Sequence, residues 1–143
     1  MPPVKNLGTN LSKGFSQRFP NDMKPQAKRQ HRLSRHKRVR AKIEGSAKRP
    51  RVAVFKSNQY IYAQVIDDKA HKTLVSASNY DGKKTKTKTK DKKSDGASKV
   101  GEALAEKMKK AGIVEAVFDR GGFKFHGRVK AVAEGLKKGG IKI

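Results

Sequence analysis

The chain has 143 residues, of which 36 are lysine or arginine and 12 are acidic, so its formal net charge is +24. This length predicts one domain with room for an extension, and the absence of cysteine excludes disulfides and thiolate metal sites and fits a reducing compartment. The charge indicates a polyanionic partner, with nucleic acid favoured. A membrane surface is the weaker candidate, because no run of about 20 apolar residues is present.

Residues 1–24 contain three of the five prolines and show no sustained periodicity. We interpret them as a disordered N-terminal extension. They lack the apolar core of a secretory signal, whereas an organellar presequence stays open, because residues 1–21 are basic and free of acids.

Residues 25–50 are predicted to form a basic arm that binds nucleic acid. The run KRQHRLSRHKRVRAK has cations at spacings of three and four, so a helix would gather many of them on one side. We expect this helix to bury nothing in its own protein and to be poorly ordered until phosphates neutralise it. A solvated basic tail or a localisation signal is the alternative.

Two strands, 51–56 and 59–66, are predicted to form a hairpin around Ser57 and Asn58, and 73–78 a third strand. Alternation along the second strand assigns one face to the core, namely Ile61, Ala63 and Val65. The other face carries Tyr60, Tyr62, Gln64 and Ile66. Its tyrosines are either packing residues at the rim of the sheet or a platform for bases and ribose.

Residues 83–93 (KKTKTKTKDKK) are of low complexity and indicate either a mobile solvated loop or a loop that neutralises phosphates. A helix is predicted over 97–111, with Ser94 or Asp95 as the N-cap and an apolar stripe at Val100, Leu104 and Met108. Gly112 is its expected stop, and 113–118 the next strand.

The run VFDRGGFKFHGRV at 117–129 predicts the end of a strand, a tight glycine loop and the start of a helix that continues to about residue 139. Backbone N–H groups and cations converge there, as in sites for anionic oxygens. Asp119 is expected to cap the loop or to pair with Arg120. Of Phe123 and Phe125, at least one is expected in the core, and His126 is either structural or part of this anion site.

The order of three strands, helix, strand, helix predicts an α/β (α+β) sandwich over 51–143: a small mixed sheet with helices packed on one face. No nucleotide-binding glycine fingerprint, HExxH or paired His/Cys spacing is present, so we expect no enzyme activity, cofactor or metal. A chromatin-type DNA-binding protein and a metal-dependent nuclease are the alternatives. The acids Asp67, Asp68, Asp81 and Asp119 sit on different segments, which disfavours the nuclease.

The strings RPRVAVFKSNQYIYAQVID and VGEALAEKMKKAGIVEAVFDRGGFKFHGRVKAVAEGLKKGGI resemble the bacterial-type large-subunit ribosomal protein family that binds 5S rRNA, the eighteenth in the large-subunit series. The likeness runs from about Lys28 to the C-terminus in the family's motif order. Phe125 departs from it, because that family usually has tyrosine before HGR. Residues 1–24 lie outside it, and the lysine-threonine loop is unusually charged.

The resemblance implies an α/β domain bound to 5S rRNA in the central protuberance of a cytoplasmic or organellar ribosome. Its partners would be 5S rRNA, the large-subunit rRNA and neighbouring ribosomal proteins, with no membrane and no homo-oligomer. It also implies that Gly121 and Gly122 permit close approach to ribose 2′-hydroxyls. The implied RNA-facing residues are Arg29, Arg32, Arg35, His36, Arg38, Arg40, Arg51, Lys56, Asn58, Tyr60, Arg120, Gly121, Lys124, His126 and Arg128.

Overall fold

The computed structural model describes residues 25–80, 82 and 92–143. The predictions for residues 1–24 and for most of the lysine-threonine loop therefore lie outside the described residues. The elements in chain order are α1 (Pro25–Arg40), β1 (Arg51–Lys56), β2 (Ile61–Asp67), β3 (Lys72–Ser78), α2 (Lys93–Lys110), β4 (Val117–Asp119) and α3 (Arg128–Lys138).

The four strands form one mixed sheet in the order β3-β2-β1-β4. β1 and β2 are the predicted antiparallel hairpin, and its loop is closed by the Ser57 N–H, which donates to the Tyr60 carbonyl at 2.8 Å. β3 pairs antiparallel with β2, whereas β4 pairs parallel with β1 after the crossover through α2. The predicted fold class is confirmed.

The core lies between the sheet and the helices α2 and α3. The first face of the sheet contributes Val52, Val54, Ile61, Ala63 and Val65, all buried, as the alternation in β2 predicted. α2 presents Val100, Leu104 and Met108, as its apolar stripe predicted, and α3 presents Val129, Val132 and Leu136. Every one of these side chains is apolar, so hydrophobic burial holds the two layers together.

The helices α2 and α3 pack closely because both have glycine at the crossing. A Cβ on Gly101 would collide with the Val132 carbonyl oxygen, and one on Gly135 would collide with the Ser98 carbonyl oxygen. Glycine thus allows backbone-to-backbone approach between the two helices.

Two predicted boundaries are wrong. α2 begins at Lys93, so Ser94 and Asp95 lie in its first turn, and the N-cap residue Lys92 makes no side-chain capping hydrogen bond. β4 is shorter than predicted, because residues 114–116 pair instead with the C-terminal end of the chain. There the Ala116 N–H donates to the Lys142 carbonyl at 2.8 Å, and the Lys142 N–H donates to the Val114 carbonyl at 2.9 Å.

Arg51, Ala53 and Phe55 alternate with the core residues of β1 and so lie on the second face of the sheet, away from α2 and α3. The parallel register pairs Ala53 with Asp119, which places that carboxylate on the same face. α1 reaches this face at the β1–β4 edge. No helix in the described parts of the chain is both long and apolar enough to span a bilayer.

Candidate nucleic-acid interface

The arm helix α1 is docked on the glycine loop, which we define as residues 120–127. Arg35 Nε donates to the Gly122 carbonyl at 3.1 Å, and Arg32 Nη1 donates to the Gly121 carbonyl at 3.5 Å. None of the residues of α1 is fully buried, yet Arg32, Arg35 and His36 are half-buried. As expected, the helix buries none of its residues fully, but Arg32, Arg35 and His36 contact the rest of the protein, which the sequence did not predict.

The glycine pair makes this docking possible. Gly121 and Gly122 have φ values of 62° and 76°, as the sequence predicted for a tight turn. A Cβ on Gly121 would lie 2.5 Å from the Val54 carbonyl oxygen, and one on Gly122 would lie 2.5 Å from the Arg32 carbonyl oxygen. Both glycines are buried, and the close approach that they permit in this structure is to β1 and α1. The approach to ribose that the resemblance implied stays a prediction.

Arg51 is the centre of a buried ion-pair network. Its Nη1 donates to Asp119 Oδ2, and its Nε and Nη2 donate to the two carboxylate oxygens of Asp68, each at 2.9 Å. Arg51 is 7% exposed and its guanidinium is engaged within the protein, so the RNA contact that the resemblance implied for it has no support in its exposure and stays a prediction. The bidentate hydrogen bonds raise the pKa of Arg51 and hold the pKa of Asp68 well below its usual range.

The same two carboxylates connect the network to α1. His36 Nε2 lies 3.6 Å from Asp119 Oδ2, and Arg40 Nη1 lies 3.4 Å from Asp68 Oδ1. Asp119 also accepts the Gly121 N–H at 2.8 Å, so it caps the glycine loop as predicted, but its arginine partner is Arg51 and not Arg120. Sequence reasoning missed the role of Asp68, because no local pattern marks an acid that pairs across the sheet.

Aromatic rings lie beside the docked arm on the second face. The ring centroids of Phe55 and Tyr62 are 6.3 Å apart, and those of Phe55 and Phe123 are 6.0 Å apart. We call Phe55, Tyr62 and Phe123 the aromatic patch. Phe123 packs against the core, as expected for one of the two loop phenylalanines, whereas Phe125 is 50% exposed and contacts Phe118.

Two cations hold the β1–β2 loop. Arg128 Nη2 donates to the Ser57 carbonyl at 2.8 Å, and Lys93 Nζ donates to the Asn58 carbonyl at 2.9 Å. Arg128 Nη1 is buried, with no hydrogen-bond partner among the described residues. The guanidinium of Arg128 is thus used within the protein, while the Tyr60 ring packs edge-on against Tyr80 at 4.9 Å.

The predicted site residues therefore differ in how much of each side chain is accessible. Lys56, Tyr60 and Arg120 are half-buried, and Arg40, although exposed, is paired with Asp68. Five of the predicted site residues in the arm, the hairpin loop and the glycine loop are exposed and make none of the side-chain contacts described above: Arg29, Arg38, Asn58, Lys124 and His126.

The side chains of this surface are suited to binding a ligand. Its two acids, Asp68 and Asp119, are both occupied by Arg51, and the described residues contain no cluster of three or more potential metal ligands. Exposed cations beside aromatic rings suit phosphates and bases.

Comparison with known proteins adds an independent finding. The model of the family described as ribosomal L18 of archaea, bacteria, mitochondria and chloroplast matches residues 26–143. The chain is 51% identical over 114 residues to the large ribosomal subunit protein uL18 of Herpetosiphon aurantiacus. The aligned residues cover 80% of this chain and 94% of that protein. It is 52% identical to the uL18 protein of Leuconostoc citreum over 78% of this chain and 91% of that protein. The uL18 protein of Thermotoga petrophila is 45% identical over 84% of this chain and 98% of its own length.

Proposed function

Because the chain belongs to the ribosomal L18 family, we propose that it binds 5S rRNA and helps attach it to the large-subunit rRNA in the central protuberance. Membership of this family makes it a structural protein of the large ribosomal subunit and not an enzyme. Ribosomal RNA and other ribosomal proteins are its partners, and the ribosome is its location. We place that ribosome in the cytoplasm.

The observation that carries this proposal is the docking of α1 on the glycine loop. Hydrogen bonds from Arg32 and Arg35 to the loop carbonyls hold the arm against the glycine loop, so the exposed cations of the two segments are fixed relative to one another. Arg29 and Arg38 are further exposed cations of α1, on opposite sides of the helix because nine residues make about two and a half turns, and Lys124 and His126 are exposed on the loop. A cationic surface already shaped before binding favours a folded RNA of matching shape over an extended polyanion.

Selectivity for RNA over DNA then depends on the shape of the surface and not on groove reading. Arginine and lysine bind phosphates on any duplex and give an affinity that falls with salt. The 2′-hydroxyl distinguishes RNA, and exposed donors such as His126 and Asn58 suit it. A chromatin-type DNA-binding protein would instead bind both polymers alike.

The decisive experiment measures dissociation constants for 5S rRNA and for RNA and DNA duplexes of equal length. We expect 5S rRNA to be preferred over both duplexes. If the protein neutralises roughly 6 to 10 phosphates, its affinity will fall by roughly 10³- to 10⁵-fold between about 50 and 200 mM salt. Equal affinity for all three nucleic acids would contradict the proposal.

Two double variants test whether the arm forms part of the RNA-binding surface. Replacing Arg29 and Arg38 together by alanine removes two exposed cations from α1, and replacing Lys109 and Lys110 removes two from the C-terminal end of α2. Both pairs lower the net charge equally. We expect a larger loss of 5S rRNA affinity from the arm pair, and equal losses would argue against the arm as the interface.

A further inference from the structure

Phe55 is a large apolar side chain that the fold leaves partly uncovered. It lies on β1, on the face away from α2 and α3, and is 50% exposed although Tyr62 and Phe123 flank it. The neighbouring ring of Phe123 is covered: the guanidinium carbon of Arg32 lies 4.8 Å from its centroid and Lys56 Nζ lies 5.3 Å from it. In the described part of the chain these are the cation–ring contacts, and neither falls on Phe55.

We propose that one unpaired base of the bound RNA stacks on Phe55, within the aromatic patch. This inference rests on the proposed function and specifies what the second face of the sheet recognises. A flat ring exposed beside two others accepts the face of any base, and base–aromatic stacking needs a base that is free of its own helix. The ligand is therefore a nucleotide from a loop, bulge or end, and not a base pair.

The cations around the patch suit the rest of such a nucleotide. Arg32 and Lys56 hold positive charge within about 5 Å of the Phe123 ring, next to the site where the base would lie. A phosphate attached to the stacked base can thus contact the same cations that cover Phe123. This charge complementarity favours a nucleotide over an apolar segment of a neighbouring protein, which would bury Arg32 and Lys56 without neutralising them.

A tryptophan at position 55 tests this stacking directly. The protein has no tryptophan, so Phe55→Trp introduces a single reporter with a larger stacking surface. We expect its fluorescence to be strongly quenched when 5S rRNA is added to the full chain. The control is Val114→Trp, whose site is 57% exposed and lies outside the patch, and which we expect to be quenched little. Equal quenching of the two would overturn the inference.

The affinity of the full chain for 5S rRNA provides the second measurement. Phe55→Leu keeps an apolar side chain but removes the ring, and we expect it to weaken binding roughly 5- to 100-fold. Phe55→Tyr keeps the ring and should bind as the wild type does. Thermal melting should be alike in the three proteins, because the ring is half exposed and its loss leaves no cavity.

These outcomes separate the inference from the function on which it rests. If the wild type shows no preference for 5S rRNA, the proposed function fails. If the wild type binds 5S rRNA but Phe55→Leu binds equally well, or the tryptophan at position 55 is not quenched, the function stands and the stacking inference is overturned. That second result is also the one expected if a neighbouring protein covers the patch.

Discussion

Arg51 Nη1 lies 2.9 Å from Asp119 Oδ2, which joins the first residue of β1 to the last residue of β4. The two residues are 68 positions apart in the chain. Asp119 is fully buried, and the Gly121 N–H donates to its other oxygen. One ion pair thus fixes both the edge of the sheet and the start of the glycine loop on which α1 is docked.

Replacing Arg51 by alanine should destabilise the whole domain. The change leaves Asp119 buried without its arginine, and breaking a buried pair in this way costs about 3–5 kcal/mol. We expect a free energy of unfolding lower by that amount in a denaturant titration, with weaker 5S rRNA binding as a consequence of the lost fold.

Arg49→Ala is the matched control, because Arg49 lies two residues earlier and is exposed. The free energy of unfolding of this variant should differ from that of the wild type by less than about 0.5 kcal/mol. A stable Arg51→Ala protein that had lost RNA binding would instead support the direct RNA contact that the resemblance implied for Arg51.

The contribution of Asp68 should depend on pH in a defined direction. Hydrogen bonds from Arg51, aided by the Gly45 N–H, lower the pKa of Asp68 from its ordinary value of 3.8. A carboxylate whose pKa is lowered in the folded state stabilises that state above its unfolded pKa and loses this effect as the pH falls through the folded pKa. Asp68→Asn should therefore be less stable than the wild type at neutral pH, and the difference should shrink below about pH 4.

Denaturant titrations at about pH 7, 4 and 2 measure this difference. Glu106→Gln on the exposed side of α2 serves as the control and should follow the wild type at each pH. A deficit of Asp68→Asn that stayed constant down to about pH 2 would show that its carboxylate charge is not what stabilises the fold.

Gly122→Ala should release α1 from the glycine loop. The new Cβ would meet the Arg32 carbonyl oxygen at 2.5 Å, in a backbone with φ of 76°, where a side chain is itself strained by about 1–3 kcal/mol. We expect trypsin to cleave within residues 28–42 about tenfold faster than in the wild type, because proteolysis follows the population of the released arm. The affinity for 5S rRNA should fall as well.

Gly127→Ala distinguishes backbone strain from the clash with α1. Gly127 also has a positive φ of 59°, but no atom lies within 4 Å of the position that its Cβ would take. It should be strained without releasing the arm. Equal acceleration of cleavage in both variants would mean that backbone strain, and not the clash with α1, is responsible.

Local periodicity predicted the parts of the fold that depend on burial alone. The alternation of Ile61, Ala63 and Val65 and the stripe of Val100, Leu104 and Met108 both proved to face the core. Such patterns are visible because each element must present one apolar face, whatever its partner.

Contacts between distant residues were not predictable in this way. The sequence showed Arg51 as one cation among many, and its acids lie 17 and 68 positions away. It likewise gave α1 no partner, because Arg32 and Gly121 are 89 positions apart and the contact uses backbone carbonyls, which every residue has. The RNA contacts of the arm and of the glycine loop stay a prediction, for which the docking of α1 supplies the geometry.

Gly101→Ala should weaken the packing of α2 on α3, although alanine favours helices more than glycine does. The added Cβ would collide with the Val132 carbonyl oxygen and press on Gly135 Cα, and overpacking of this kind costs about 1–3 kcal/mol. The control is Gly96→Ala in the same helix, where the nearest atom is Asn79 Nδ2 at 3.7 Å. There the helix propensity of alanine should raise stability by up to about 1 kcal/mol. The melting temperatures of the two variants should thus shift in opposite directions. A Gly101→Ala protein as stable as Gly96→Ala would contradict this, because it would mean that α2 and α3 can move apart without a loss of stability.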